Sequence, residues 1–235
     1  MTKDNHDVKT VVLRKTIEET DAMAIVEQKK SDPFKSLLSR PKKEEVHVHS
    51  LKLYHECILT VSGKYVADYY RKATYDISVD YNIRDVVLAG GLFPIRSKSG
   101  FKKALSGKHG KNKIDLKLEE HVFIEEEEEL AFDHHGQEIK FPFKINSKTI
   151  ENYPKKILED NAQNVKKPEI TYDAAIKKLQ TLLKKPVDND VRDLYDEFVL
   201  REISEVYVPI FEARLIGPKK KVGIIRIDAV RKKVL

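Results

Sequence analysis

Four side chains able to hold a metal or carry a thiolate lie within eleven residues: His47, His49, His55 and Cys57. Imidazole with thiolate is a zinc-binding set, and alternation on a strand puts His47 with His49, and His55 with Cys57, on a shared face. Zinc sites gather their ligands across a turn. On one straight strand His47 and Cys57 stand about 33 Å apart, at roughly 3.3 Å per residue, so one ion does not reach all four. The expectation is surface histidines, a buried thiol and no metal ligand. Asp133-His134-His135 could bind a metal or move protons, but Gly136 beside it marks an exposed turn tip. Cys57 has no acid–base signature around it. Neither a Walker-type nor a dinucleotide-binding glycine pattern is present. No catalytic residue and no cofactor is expected.

Charge gives the clearest constellation. Residues 96–113 hold seven cations, three Gly, three Ser and no acid. The cations are Arg96, Lys98, Lys102, Lys103, Lys108, Lys111 and Lys113. Residues 119–129 then hold seven Glu. Lys219, Lys220 and Lys221 form a second basic surface near the carboxy terminus, followed by Arg231 to Lys233. Lysines with glycine and a single aromatic, Phe101, suit contact with phosphates better than stacking on bases. The simpler reading is that the two blocks are solvated and attract one another across a sheet. The basic segment is expected to be a mobile loop.

Composition bounds the rest. The chain has 235 residues, a net charge of +6 and a pI of about 9.1. That is one large domain or two small ones, mildly basic, permitting an anionic partner without demanding one. The single cysteine excludes an intramolecular disulfide and suits a reducing compartment. The first residues lack a signal-peptide apolar core, and no run approaches the roughly 20 apolar residues that span a bilayer. The expected location is the cytoplasm.

The elements that must position these groups read as follows. Val8–Leu13 is a short strand and Ile17–Gln28 a helix. Pro33–Ser39 is a short helix begun by Ser31-Asp32-Pro33. Val46–Ser62 is a strand, turned at Ser62-Gly63 and returned over Lys64–Tyr70. Leu92–Ile95 and Ile114–Ile124 are strands, and Leu130–Ile145 is a hairpin about His135-Gly136. Ser147–Asp160 is helical with a break at Pro154. Thr171 caps a helix over Tyr172–Lys185, with Ile176, Leu179, Leu182 and Leu183 on one face. A further helix is predicted over Asp190–Ser204, then a closing hairpin. The segments 53–88 and 206–235 share a Tyr, a Gly turn and an apolar–Asp strand end, and read as one hairpin module used twice.

The ending, Ile225-Arg226-Ile227-Asp228-Ala229 through Val234-Leu235, resembles the close of PepSY-type helix–hairpin modules over about a dozen residues. Arg231-Lys232-Lys233 stands where that family has a turn glycine, and no function is carried over.

The fold expected is α+β, antiparallel hairpins covered by helices. A β-rich domain with a helical start spans 1–146 and a helix–helix–hairpin domain 147–235; the two can also form one. The function expected is a non-enzymatic intracellular protein-interaction or scaffold protein, with a protein partner. The alternative is a nucleic-acid-binding protein that uses loop 96–113 and the basic carboxy terminus. An enzyme, in the form of a metal hydrolase, ranks third.

Overall fold

The computed structural model of the chain describes residues 7–35, 41–95, 112–185 and 190–235. It is a mixed α+β structure, mostly antiparallel sheet with three helices. The strands are β1 (Val8–Val12), β2 (His47–Val79), β3 (Asp85–Leu88), β4 (Gly91–Pro94), β5 (Asn112–Phe132), β6 (Glu138–Ile139), β7 (Val165–Lys166), β8 (Val191–Ile216), β9 (Val222–Asp228) and β10 (Lys233–Val234). The helices are α1 (Glu19–Lys29), α2 (Pro154–Asp160) and α3 (Tyr172–Leu183). One sheet runs in the order β10-β9-β8-β2-β5-β6, with β1 parallel to β8 and β7 parallel to β2. β3 and β4 form a separate hairpin.

Two compact units share this chain. The first comprises residues 1–64, 127–183 and 199–235, the second residues 65–126 and 184–198. The first holds a core in which Ala22 and Val26 of α1 pack on Phe211, Ala213 and Leu215 of β8 and on Ile225 and Ile227 of β9. A further cluster joins Val11, Ile58, Ala131, Val206, Val208 and Ile210. In α3 the buried residues are Ala175, Leu179 and Leu183, the i, i+4, i+8 stripe of an amphipathic helix. Thr171 caps it, its hydroxyl accepting from the Ala174 N–H at 3.3 Å.

Four sequence expectations are corrected. The chain does not turn at Ser62-Gly63: β2 is one strand of 33 residues. Val61, Gly63, Tyr65, Ala67 and Tyr69 alternate as buried positions without a phase slip. A Gly inside an unbroken period of two is a strand residue, not a turn. The first half of the repeated hairpin module is therefore absent, although the closing hairpin, β8 with β9, forms as expected. Residues 191–204 are strand and not helix. Val191, Leu194, Tyr195 and Phe198 have helical spacing in the sequence, but the segment lies within the sheet strand β8, with Asp193 at a φ of 54°, and sheet pairing overrides the local pattern. Pro154 begins α2 rather than breaking a helix, since its missing N–H costs nothing at the first position. Of the helix expected at 33–39, the described residues form a single 3-10 turn over Asp32–Phe34 with Lys35 extended after it, and residues 36–40 lie outside the described residues.

Phe34 explains a tight corner of the closing hairpin. Its ring lies where side chains at Gly217 and Gly223 would project, at 2.7 and 2.6 Å from the positions of their missing Cβ atoms. Gly223→Ala should lower stability by roughly 1–3 kcal/mol through overpacking. In a Phe34→Ala background the same change should cost less than half as much in a urea melt; an equal cost in both backgrounds would contradict this contact.

Candidate functional site

Glu56, Glu212 and Arg226 each interrupt an apolar strand: His55-Glu56-Cys57-Ile58, Ile210-Phe211-Glu212-Ala213, and Ile225-Arg226-Ile227. A charge on such a strand must find a partner when the strand is buried. The first compact unit supplies them together. Glu56 is 7% exposed and accepts from Lys166 Nζ at 2.8 Å and from the Arg226 guanidinium. Glu212 and Arg226 are cross-strand partners in the β8–β9 ladder. Glu212 lies 3.8 Å from Lys166 Nζ and 3.9 Å from Arg226 Nε, with Arg214 Nε at 3.7 Å. Lys166 also sits 4.8 Å above the Tyr54 ring. His134 Nδ1 approaches Glu56 to 3.5 Å from the turn after β5.

That turn is locally encoded. Asp133 Oδ1 accepts the N–H groups of His135 and Gln137 at 3.0 and 2.9 Å, and Gly136 takes the φ of 77° that closes the turn. His134 points inward to Glu56, whereas His135 is exposed and meets Glu169 at 3.3 Å.

Electrostatics fixes the state of the cluster. Burial pushes the Glu56 carboxyl up. The hydrogen bonds and charges of Lys166 and Arg226 outweigh it and hold the group below the usual carboxylate range. Burial lowers His134, and Glu56 opposes this only in part. Glu56 and Glu212 balance Lys166 and Arg226, so these four charges sum to zero. An ionised carboxylate with a lowered pKa is a poor proton acceptor at neutral pH. The arrangement instead holds β2, β7, β8 and β9 to one another.

A second buried group surrounds Cys57. Tyr172 and Tyr207 donate to the two Glu205 oxygens at 2.6 and 2.8 Å. Burial, with Glu205 nearby, pushes the Cys57 thiol and both phenols well up. The thiol stays protonated, which removes it as a nucleophile. Glu205 and Tyr207 also line a cavity of about 510 Å³ with Thr10, Lys155, Leu158 and Lys167. His55 is 4% exposed, its Nδ1 makes no hydrogen bond among the described residues, and it lines a cavity of about 280 Å³. Burial lowers its pKa.

All four sequence-predicted metal candidates lie on the single strand β2, with His47 and His49 exposed and His55 and Cys57 buried. Among the described residues no group of three His, Cys, Asp or Glu side chains is placed to hold a metal. Of the basic residues singled out, Lys113 is in β5 and pairs with Asp76 at 3.2 Å. Lys219, Lys220 and Lys221 are exposed at the β8–β9 turn. Arg96, Lys98, Lys102, Lys103, Lys108 and Lys111, and with them the loop expected to be mobile, lie outside the described residues.

Two outcomes are expected. Glu56→Gln should destabilise the fold by roughly 2–4 kcal/mol at pH 7, because two partly buried cations lose their counter-ion. The folded-state pKa of Glu56 is depressed, so its contribution is full above the ordinary carboxylate pKa and is lost as pH falls through the folded value. The stability gap between wild type and Glu56→Gln should thus be flat from pH 6 to 8 and close below about pH 4.5. A gap that widens in acid would contradict the assignment. Cys57 should resist iodoacetamide at pH 8 in the native protein and react at once in denaturant; equal rates by mass spectrometry would show an accessible thiolate.

No family model, curated protein or solved structure matches the chain, so the reading of these groups rests on their own geometry.

Proposed function

We propose that the protein is a non-enzymatic interaction or scaffold protein whose partner-binding surface is the second compact unit. One observation carries this. The β3–β4 hairpin turns through Ala89 and Gly90, with φ of 47° and 80°, the two positive values of a tight two-residue hairpin turn. It sets Val87 directly across from Leu92, and these side chains are 66% and 65% exposed. Leu88 beside them is exposed as well, as are Tyr75, Ile77 and Phe123 in the same unit. A two-stranded hairpin is marginal on its own, and contiguous exposed apolar side chains mark contact surfaces. Aromatic and aliphatic anchors of this kind dominate binding when a partner covers them.

A second reading, nucleic-acid binding, is favoured by Lys219, Lys220 and Lys221. All three are exposed and consecutive at one turn, where Lys219 and Lys220 adopt left-handed backbone. Phosphate contact there would be sequence-independent.

The test separates the two. Val87→Asp with Leu92→Asp should abolish co-purification of a partner from native lysate while leaving the thermal melt within a degree or two. Replacing Lys219 to Lys221 by Gln should not change it. Retained partner capture by the Asp variant would overturn the hairpin reading. Oligonucleotide binding whose salt slope falls by about 0.9 per lost phosphate contact in the Gln variant would favour the second.

A further inference from the structure

The β8–β9 hairpin has two unlike faces. Leu215, Ile225 and Ile227 belong to the core shared with α1, and the Phe34 ring closes against Gly217 and Gly223 on that side. Ile216, Val222 and Ile224 fall on the other face by the period of two. The register pairs Ile216 with Val222 directly, and Ile224 with Arg214 two positions further in. These aliphatic side chains are open: Val222 is 71% and Ile224 50% exposed, with Ile216 exposed beside them. Charge completes the patch. Residues 213–225 hold four cations, Arg214 and Lys219 to Lys221, and no acid. Arg214 is engaged with Glu212 at 3.7 Å. Lys219, Lys220 and Lys221 are exposed on the turn between the two strands, and among the described residues none of their ammonium groups has an ion-pair partner.

We infer that this end of the hairpin docks on a bilayer surface carrying anionic lipids. The three lysines meet the headgroup phosphates and carboxylates, and Ile216, Val222 and Ile224 enter the boundary between headgroups and acyl chains. A patch that joins unpaired cations to exposed aliphatic side chains gains there from charge attraction and from apolar burial together. The lysines are those of the nucleic-acid reading, and the side chains beside them decide between the two. Single-stranded nucleic acid is held by stacking on aromatic rings, and residues 212–226 contain none. Contact with a phosphodiester backbone would use the lysines and leave the three aliphatic side chains in water. A bilayer surface uses both. The inference makes no use of the β3–β4 hairpin and goes beyond the partner reading built on it.

Flotation of the purified full chain with phosphatidylcholine vesicles, with and without phosphatidylserine, reads the association. Binding to the phosphatidylserine vesicles, weakened by added salt, is expected, with little to phosphatidylcholine alone. Replacing Lys219 to Lys221 by Gln should weaken it at least about tenfold. Val222→Ser with Ile224→Ser should weaken it at least about tenfold as well, at unchanged charge. All five positions are exposed, and circular dichroism on each variant separates lost docking from lost fold. The chain has no Trp, so Val222→Trp places a lone reporter in the patch. Its emission should shift to the blue when phosphatidylserine vesicles are added. No association with vesicles, equal association with both kinds, association that the Ser pair leaves unchanged, or an unshifted Trp emission overturns the proposal. So does a chain that ignores vesicles and binds a duplex oligonucleotide through the same lysines. Val87 and Leu92 are untouched in these variants, so this outcome and that of the hairpin test are independent.

Discussion

The first compact unit depends on the pairing of Glu56 with Lys166 and Arg226. Glu56 lies in the most buried stretch of β2, where His55 to Val61 are all buried. An unpaired carboxylate there would be expensive, so the segments carrying its cations are obliged to come to it. Lys166 arrives on β7, which pairs with β2 over only His55 and Glu56. Two residues of ladder would not hold that segment by themselves. Arg226 arrives on β9 and is shared with Glu212 across the β8 ladder. The carboxylate thus specifies which strands lie together, while the apolar clusters on either side supply the driving force.

The same logic continues at the chain's end. Asp228 is 1% exposed, one strand position beyond Ile227. Its Oδ1 accepts the N–H groups of Val230 and Arg231, each at 2.9 Å, and its Oδ2 takes Arg231 Nε at 2.6 Å. Those bonds fold the final turn, in which Lys232 holds a φ of 57°, a left-handed value that glycine adopts most easily. A side-chain anchor here stands in for glycine's conformational freedom.

Elements with one local rule were legible in the sequence: β1, α1, α3, the Gly136 turn and the closing hairpin. Two misreadings have different causes. Gly63 carries turn chemistry, yet the period of two runs through it without a slip, and there the period outweighs the residue type. Val191, Leu194, Tyr195 and Phe198 have helical spacing in the sequence, and pairing within the sheet overrides it. The charge cluster was hidden for another reason. Residues 56, 134, 166, 212 and 226 have no common spacing, and only the fold assembles them. Of these, the sequence reading singled out His134 alone, for metal or proton chemistry. The available signal was a single charge inside each of three apolar runs, which marks a buried partner rather than a catalytic motif.

The claim that one ion-paired carboxylate organises this unit is tested most directly by a double-mutant cycle between Glu56→Gln and Arg226→Met, read by urea denaturation at pH 7. Direct pairing predicts a coupling energy of about 1 kcal/mol or more, with the double variant less destabilised than the sum of the singles. Strict additivity of the two changes would contradict it.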